Sequence, residues 1–122
     1  MTFHLHLIHH HSPDDEAAID AFFDAVNMPA ASIERWLATA ESHAVDAPPG
    51  SAASASAGRV GERIVALLHR RPGAFTPDDV SFAREILERI GHLSADRPSG
   101  DVHDTPWRHA LMNLGHDPLT SD

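Results

Sequence analysis

A chain of 122 residues with a formal net charge of −9 has the length of one domain and can enclose a hydrophobic core. It has no cysteine, which excludes disulfides and thiolate metal sites, and no lysine, so arginine carries all the fixed positive charge. The negative balance disfavours general attraction to nucleic acid, and no segment approaches the ~20 apolar residues that cross a membrane. We therefore expect a soluble, cytoplasmic protein.

Residues 1–11 contain five of the eleven histidines of the chain. Neutral imidazoles bind Ni²⁺, Cu²⁺ and Zn²⁺, so this segment is a candidate metal site. A histidine-rich terminus is also typical of a disordered extension or a tag, and both interpretations stay open. The candidate ligands are His4, His6, His9, His10 and His11.

The first helix is predicted to start after Ser12 and to end near Asn27. Ser12 can cap it, a proline follows at the first helical position, and acids occupy the first turn, where the helix dipole favours them. The apolar residues at helical spacing in this first helix are Ile19, Phe22, Phe23 and Val26.

The second helix is predicted over residues 30–42, with Trp36 as an anchor of the core.

Residues 43–54 are predicted to form a flexible loop, because prolines, a glycine and small residues replace the helical pattern. The third helix is predicted from Ala55 to Arg71, ahead of Pro72. Four arginines of this helix form one basic stripe, interrupted by Glu62, and guanidinium groups suit bidentate phosphate contacts. The stripe is the candidate nucleic-acid-binding site, and its members are Arg59, Arg63, Arg70 and Arg71.

The fourth helix, after Thr76, repeats the capping chemistry of the first and is predicted to be the longest and the most central. A short fifth helix is predicted after Thr105, which can cap it, and Gly115 can take the left-handed conformation that ends it. The sequence thus predicts an all-α, compact single-domain bundle of about five helices over residues 12–119, with residues 120–122 as a tail. The predicted core side chains are Phe22, Trp36, Leu68, Leu87, Trp107 and Leu111.

The C-terminal stretch contains four short motifs in order: Asp104–Thr105, Trp107–Arg108, Leu111–Asn113 and Gly115–Leu119. Together they resemble the signature of a small bacterial family catalogued as domain of unknown function 3140. Earlier segments between residues 26 and 80 resemble the same pattern in the same order, so the resemblance spans roughly residues 14–119. Some members of that family carry a DNA-binding label, so the resemblance implies DNA binding as an expectation for this chain. The chain departs from the pattern at His109 and Leu114, and it lacks the lysines that relatives have before Thr76. The residues that carry the motif are Trp36, Thr105, Trp107, Arg108, Asn113, Gly115, His116 and Asp117.

Three functions remain open at this point. We expect a non-catalytic binding module without a cofactor, with nucleic acid as the first candidate partner through the arginine stripe. The alternative is a protein-interaction or self-associating module with no nucleic-acid role and no membrane contact. A third hypothesis is divalent-metal binding by the C-terminal histidines and acids, although their spacing does not favour it. Those residues are His103, Asp104, His109, His116 and Asp117.

Overall fold

The computed structural model describes residues 11–46 and 52–120, and these two ranges contain helices and no strand. The all-α prediction is confirmed. α1 packs along α5, α2 and α3 pack against α4 and α6, and α6 also contacts α5. The helices are α1 Pro13–Ala25, α2 Ala30–Leu37, α3 Ala40–Asp46, α4 Ala52–Leu68, α5 Pro77–Ala95 and α6 Pro106–Asn113, with a short 3₁₀ helix at Pro72–Ala74.

Capping boxes start α1 and α5. The Ser12 hydroxyl accepts the Asp15 backbone N–H at 3.1 Å, and the Asp15 carboxylate accepts the Ser12 N–H at 3.4 Å. Thr76 and Asp79 repeat this exchange at 3.1 and 2.9 Å. Each box satisfies two backbone donors that a helix start leaves without partners, so these starts agree with the sequence prediction.

The prediction of a single helix over residues 30–42 is wrong, because the helix is interrupted at Thr39. The Thr39 hydroxyl donates to the Trp36 carbonyl at 2.7 Å and accepts the Ser42 backbone N–H at 3.1 Å. One side chain therefore ends α2 and caps α3. His43 strengthens the break, since its ring nitrogen Nε2 lies 2.7 Å from the Leu37 carbonyl oxygen.

The boundaries of the predicted loop and third helix also need correction. α3 continues to Asp46 and α4 begins at Ala52, so helix occupies both ends of the predicted 43–54 loop. Residues 47–51 lie outside the described ranges. α4 ends at Leu68 rather than at Arg71, because the next two N–H groups, of His69 and Arg70, bond three residues back and tighten the chain ahead of Pro72.

The core joins all the described α-helices except α3 around side chains that are fully buried. Phe22 and Phe75 meet edge to face with ring centroids 6.4 Å apart. Ile33, Ile64, Ile86 and Leu111 are likewise 0 % exposed. Of the predicted core residues, Phe22 and Leu111 are confirmed.

Four predicted core residues lie nearer the surface than expected. Trp36, Leu68 and Trp107 are half-buried against the edge of the core, and Leu87 is half-buried outside the central cluster. Both indoles keep an N–H that needs a partner, which favours a position at the core boundary. In α5 the buried face centres on Ile86 and Ile90, and Leu87 lies to one side of it.

Candidate functional site

Two members of the predicted arginine stripe converge on one carboxylate, Asp79 of α5. Arg70 forms an ion pair with Asp79 through Oδ2, and Arg63 lies 3.4 Å from Oδ1. The Asp79 side chain is only 8 % exposed, while those of Arg63 and Arg70 are 44 and 42 % exposed. The same carboxylate caps α5 through Thr76, so it joins the end of α4 to the start of α5.

Arg63 is held by two further contacts. Its Nη2 donates to the Asp78 carbonyl at 3.3 Å, and its guanidinium lies 4.4 Å from the centre of the Phe82 ring. Cation–π stacking of this kind orients the guanidinium along the protein surface. The arginine is therefore part of the packing between α4 and α5.

The ionisation of Asp79 reflects these partners. Burial raises the pKa of the Asp79 carboxyl, but the Thr76 backbone N–H and the Arg70 guanidinium outweigh it and leave the pKa below its ordinary value. The carboxylate is thus charged at neutral pH. Of the stripe's neighbours, Glu62 and Asp78 are also acidic, so four arginines share their surroundings with three acids.

Arg59 and Arg71, the other two members of the stripe, are exposed. Arg71 lies just before the 3₁₀ helix, in extended backbone beyond the end of α4. The structure therefore does not present the four arginines as one continuous helical face. Nucleic-acid binding at these residues stays a prediction.

Asn113 lies at the centre of the C-terminal motif and is 3 % exposed. Its side-chain oxygen accepts the Trp36 indole N–H at 2.7 Å and the Ser42 hydroxyl at 2.5 Å. Its amide nitrogen donates to the Ser42 carbonyl at 3.0 Å. These bonds fasten α6 to α2 and α3, so two motif residues, Trp36 and Asn113, act together in packing.

The segment after α6 docks on the connection between α1 and α2. Gly115 has φ +78°, and a Cβ there would lie 2.8 Å from Val26 Cγ1. His116 Nδ1 lies 2.7 Å from the Ala25 carbonyl, and Asn27 exchanges two hydrogen bonds with the Asp117 backbone at 3.1 and 2.8 Å. Glycine is needed because the chain turns left-handed directly against the core.

Arg108 and Asp117 form a two-pronged ion pair behind this docked segment. Arg108 Nε and Nη2 reach the two Asp117 oxygens at 3.1 and 3.0 Å, and Nη1 reaches the His103 carbonyl at 3.0 Å. Burial raises the pKa of the Asp117 carboxyl. The Arg108 guanidinium and the Leu119 backbone N–H lower it by more, so the pKa lies below its ordinary value.

The remaining motif residues also have partners inside the domain. Thr105 caps α6 by accepting the Arg108 backbone N–H at 3.2 Å. The Trp107 indole donates to the Leu93 carbonyl at 2.5 Å, and the Arg97 guanidinium lies 5.5 Å from the Trp107 ring. The whole motif therefore serves the packing of α6 and of the chain that follows it.

The C-terminal histidines do not converge. His116 faces the Ala25 carbonyl, His109 stacks on Trp36 with ring centroids 5.0 Å apart, and His103 Nδ1 lies 3.5 Å from Asp104 Oδ1 at an exposed position. Within 11–46 and 52–120, no group of three histidine or acidic side chains is placed to hold a metal ion, which corrects the C-terminal metal hypothesis.

The N-terminal metal candidates can be placed only in part. His4, His6, His9 and His10 lie outside the described residues. His11 is described, and its Nε2 is buried without a hydrogen-bond partner among the residues that are placed. Metal binding by this segment stays a prediction.

Two surface clefts were not predicted from the sequence. A cleft of about 380 Å³ between α2 and α4, the α2–α4 cleft, is lined by Glu34, Leu37, Ala38, Glu62 and Val65. A cleft of about 330 Å³ between α3 and α6, the α3–α6 cleft, is lined by Glu41, Ala44, Val45, Asp104, Pro106 and His109. Acids beside apolar residues on one helix face were the available signal, but solvent-facing helix sides commonly show it.

A family model described as "Protein of unknown function (DUF3140)" matches residues 21–112. The chain belongs to this family. The DUF3140 match includes Trp36, Thr105, Trp107 and Arg108, and it ends one residue before Asn113, so it is shorter than the resemblance seen in the sequence. No curated protein and no solved structure matches the chain.

None of the described helices has both the length and the apolar character that a membrane span requires.

Proposed function

We propose that this DUF3140 domain is a non-catalytic module that binds a cationic protein partner in the cytoplasm. The observation that carries the proposal is the distribution of charge. At least five of the nine arginines are paired with carboxylates of the same chain, within a protein of net charge −9. These arginines are Arg63, Arg70, Arg84, Arg89 and Arg108.

A phosphate would have to compete with Asp79 for the centre of the arginine stripe. Moving Arg63 and Arg70 toward a nucleic acid would leave a carboxylate that is 8 % exposed without its charged partners, and an uncompensated buried charge is costly. The acidic surroundings also repel the phosphate backbone at long range. This geometry supports a protein partner over nucleic acid.

The exposed surface offers little support for binding of a partner through apolar contacts alone. Among the described residues, Leu119 is the large apolar side chain that is exposed, at 38 %. Stable self-association commonly buries a broad apolar patch. Charge is therefore the better basis for recognition.

The non-catalytic part of the proposal rests on what the candidate groups contact. Asp79, Asp117, His109 and His116 each contact groups of the same chain that hold the fold together. A general acid or base needs a proton-transfer position facing a substrate. In these residues the reactive atoms face the domain itself.

The proposal is tested by comparing two labelled probes in fluorescence anisotropy at ionic strengths of ~0.05 and ~0.15 M. We expect an arginine-containing amphipathic peptide to bind, more weakly at higher salt, and duplex or single-stranded DNA not to bind at either salt. If neither probe binds at ~0.05 M, the proposal is wrong.

The informative variant for DNA is Arg71→Glu, because Arg63→Glu would disturb the Asp79 contacts and the fold as well. Arg35→Glu is the matched control, since Arg35 is exposed on α2 and bonds to Ser32. DNA binding that Arg71→Glu abolishes and Arg35→Glu preserves would replace our proposal with the nucleic-acid function.

A further inference from the structure

We infer that the α2–α4 cleft is the partner site, and that it takes a basic amphipathic helix of a protein partner. The inference rests on the proposed function and adds its location. Leu37 and Val65 would contact an apolar side chain of the partner, and Glu34 and Glu62 would bind its arginine or lysine. Helix-in-groove recognition combines these two kinds of contact.

The apolar floor of the cleft depends on Gly61 of α4. A Cβ at this position would lie 2.4 Å from Leu37 Cδ1 and 2.8 Å from Cδ2. Because glycine has no side chain, Leu37 can lie directly on α4 beside Val65. Both residues pack against the core while remaining only half-buried, so they present fixed apolar surface at the base of the cleft.

The acids at the rim are exposed and available. Within the described ranges, neither Glu34 nor Glu62 forms a hydrogen bond or an ion pair, although each has an arginine as its next residue. Arg35 turns instead to the Ser32 hydroxyl at 3.2 Å, and Arg63 turns to Asp79. These two arginines thus leave both carboxylates beside an apolar floor, which complements a cation on an apolar stem.

The α3–α6 cleft is the less suitable of the two. Its Asp104 side chain is 91 % exposed and lies 3.5 Å from His103, so that acid faces solvent with a second partner beside it. Its His109 is stacked on Trp36. A cation there would share Asp104, one of the two acids that line this cleft, with His103.

The test is a titration of the ¹⁵N-labelled full chain with a peptide of alanine, leucine and arginine, about 15 residues long so that it can form a helix. We expect the amide shifts to cluster at residues 34–38 and 61–65. A peptide with glutamate in place of arginine is the probe control, and it should cause no shifts.

The site variant is Glu34→Gln with Glu62→Gln, and the matched control is Asp24→Asn with Glu88→Gln, which removes two exposed carboxylates from α1 and α5. Exposed ion pairs contribute little individually, so we expect the site variant to weaken binding about five- to tenfold and the control less than twofold. Equal weakening in both variants would show that binding follows net charge alone, and it would overturn the inference.

The remaining outcomes separate the site from the function. Shifts confined to Glu41, Val45 and His109 would refute the α2–α4 site while preserving a cationic protein partner. No binding at all would refute the proposed function together with the site. Shifts in the cleft that grow with protein concentration, without peptide, would assign it to a second copy of the chain and refute the peptide partner.

Discussion

Replacing Asn113 with alanine should destabilise the domain more than any exposed substitution in α6. The change removes the partner of three buried or half-buried groups: the Trp36 indole N–H, the Ser42 hydroxyl and the Ser42 carbonyl. A buried polar group left unpaired costs about 1–3 kcal/mol. Because the indole is half-buried and can reach water, we expect a total loss of about 3–4 kcal/mol.

The assay is urea denaturation followed by circular dichroism, combined with Trp36→Phe in a double-mutant cycle. Trp36→Phe removes the indole N–H and leaves a smaller aromatic ring in its place. Alone it should cost about 1–2 kcal/mol, because some packing against the core is lost while the Asn113 oxygen still accepts the Ser42 hydroxyl. The double variant should be more stable than the sum of the single losses by about 1 kcal/mol, because the unpaired indole donor is no longer present.

Two results would refute this reasoning. A loss under about 1 kcal/mol for Asn113→Ala would show that the Asn113 network does not stabilise the fold. Additive losses in the cycle would show that Trp36 and Asn113 contribute independently, in spite of the 2.7 Å bond between them. In thermal unfolding, the expected loss corresponds to a decrease in Tm of more than ~10 °C for a chain of this size.

Three further predictions concern backbone, charge and helix break. Gly115→Ala should cost about 2–4 kcal/mol of stability, measured by thermal unfolding, because of the positive φ and of contact with Val26. The control is Gly58→Ala in α4, where a Cβ meets nothing within 4 Å, and it should be neutral or stabilising by up to ~1 kcal/mol. Equal effects of the two substitutions would contradict the steric argument. The lowered pKa of Asp79 implies that its stabilising contribution is complete above the unfolded value of about 3.9 and is lost as pH falls through the folded pKa. Asp79→Asn should therefore lower stability at pH 7 and flatten the decrease measured below about pH 4, and an unchanged acid profile would exclude this role. Thr39→Val should cost about 1–2 kcal/mol, because it removes both the cap of α3 and the bond to the α2 carbonyl, and a loss below ~0.5 kcal/mol would argue that His43 alone maintains the break.

Local chemistry explains which helix boundaries were predictable. Ser12 with Asp15, and Thr76 with Asp79, contact each other across three residues, so their geometry follows from the sequence alone. Gly115 was predictable for the same reason, since a helix end needs a left-handed residue. The break at Thr39 was missed because a threonine inside an apolar helical pattern is also compatible with an unbroken helix.

Tertiary contacts explain why residues predicted as candidate binding sites make packing contacts in the structure. Helical spacing predicts that Arg63 and Arg70 share a face, but not that α5 brings Asp79 against both of them. Likewise, the spacing of His109 and His116 carries no information about Trp36 or Ala25, which are 73 and 91 positions away. A site therefore could not be separated from a packing contact before the helices were assembled.

The sequence by itself determined the all-α class, most helix starts and the C-terminal turn, because hydrophobic periodicity and capping act between residues three or four positions apart. Only the tertiary structure decided that the C-terminal motif fastens α6 to the rest of the domain, and that Glu34 and Glu62 line one cleft with Leu37 and Val65. The physical reason is distance along the chain. Whether a carboxylate or an indole is paired, buried or exposed depends on groups that the fold brings to it from remote segments.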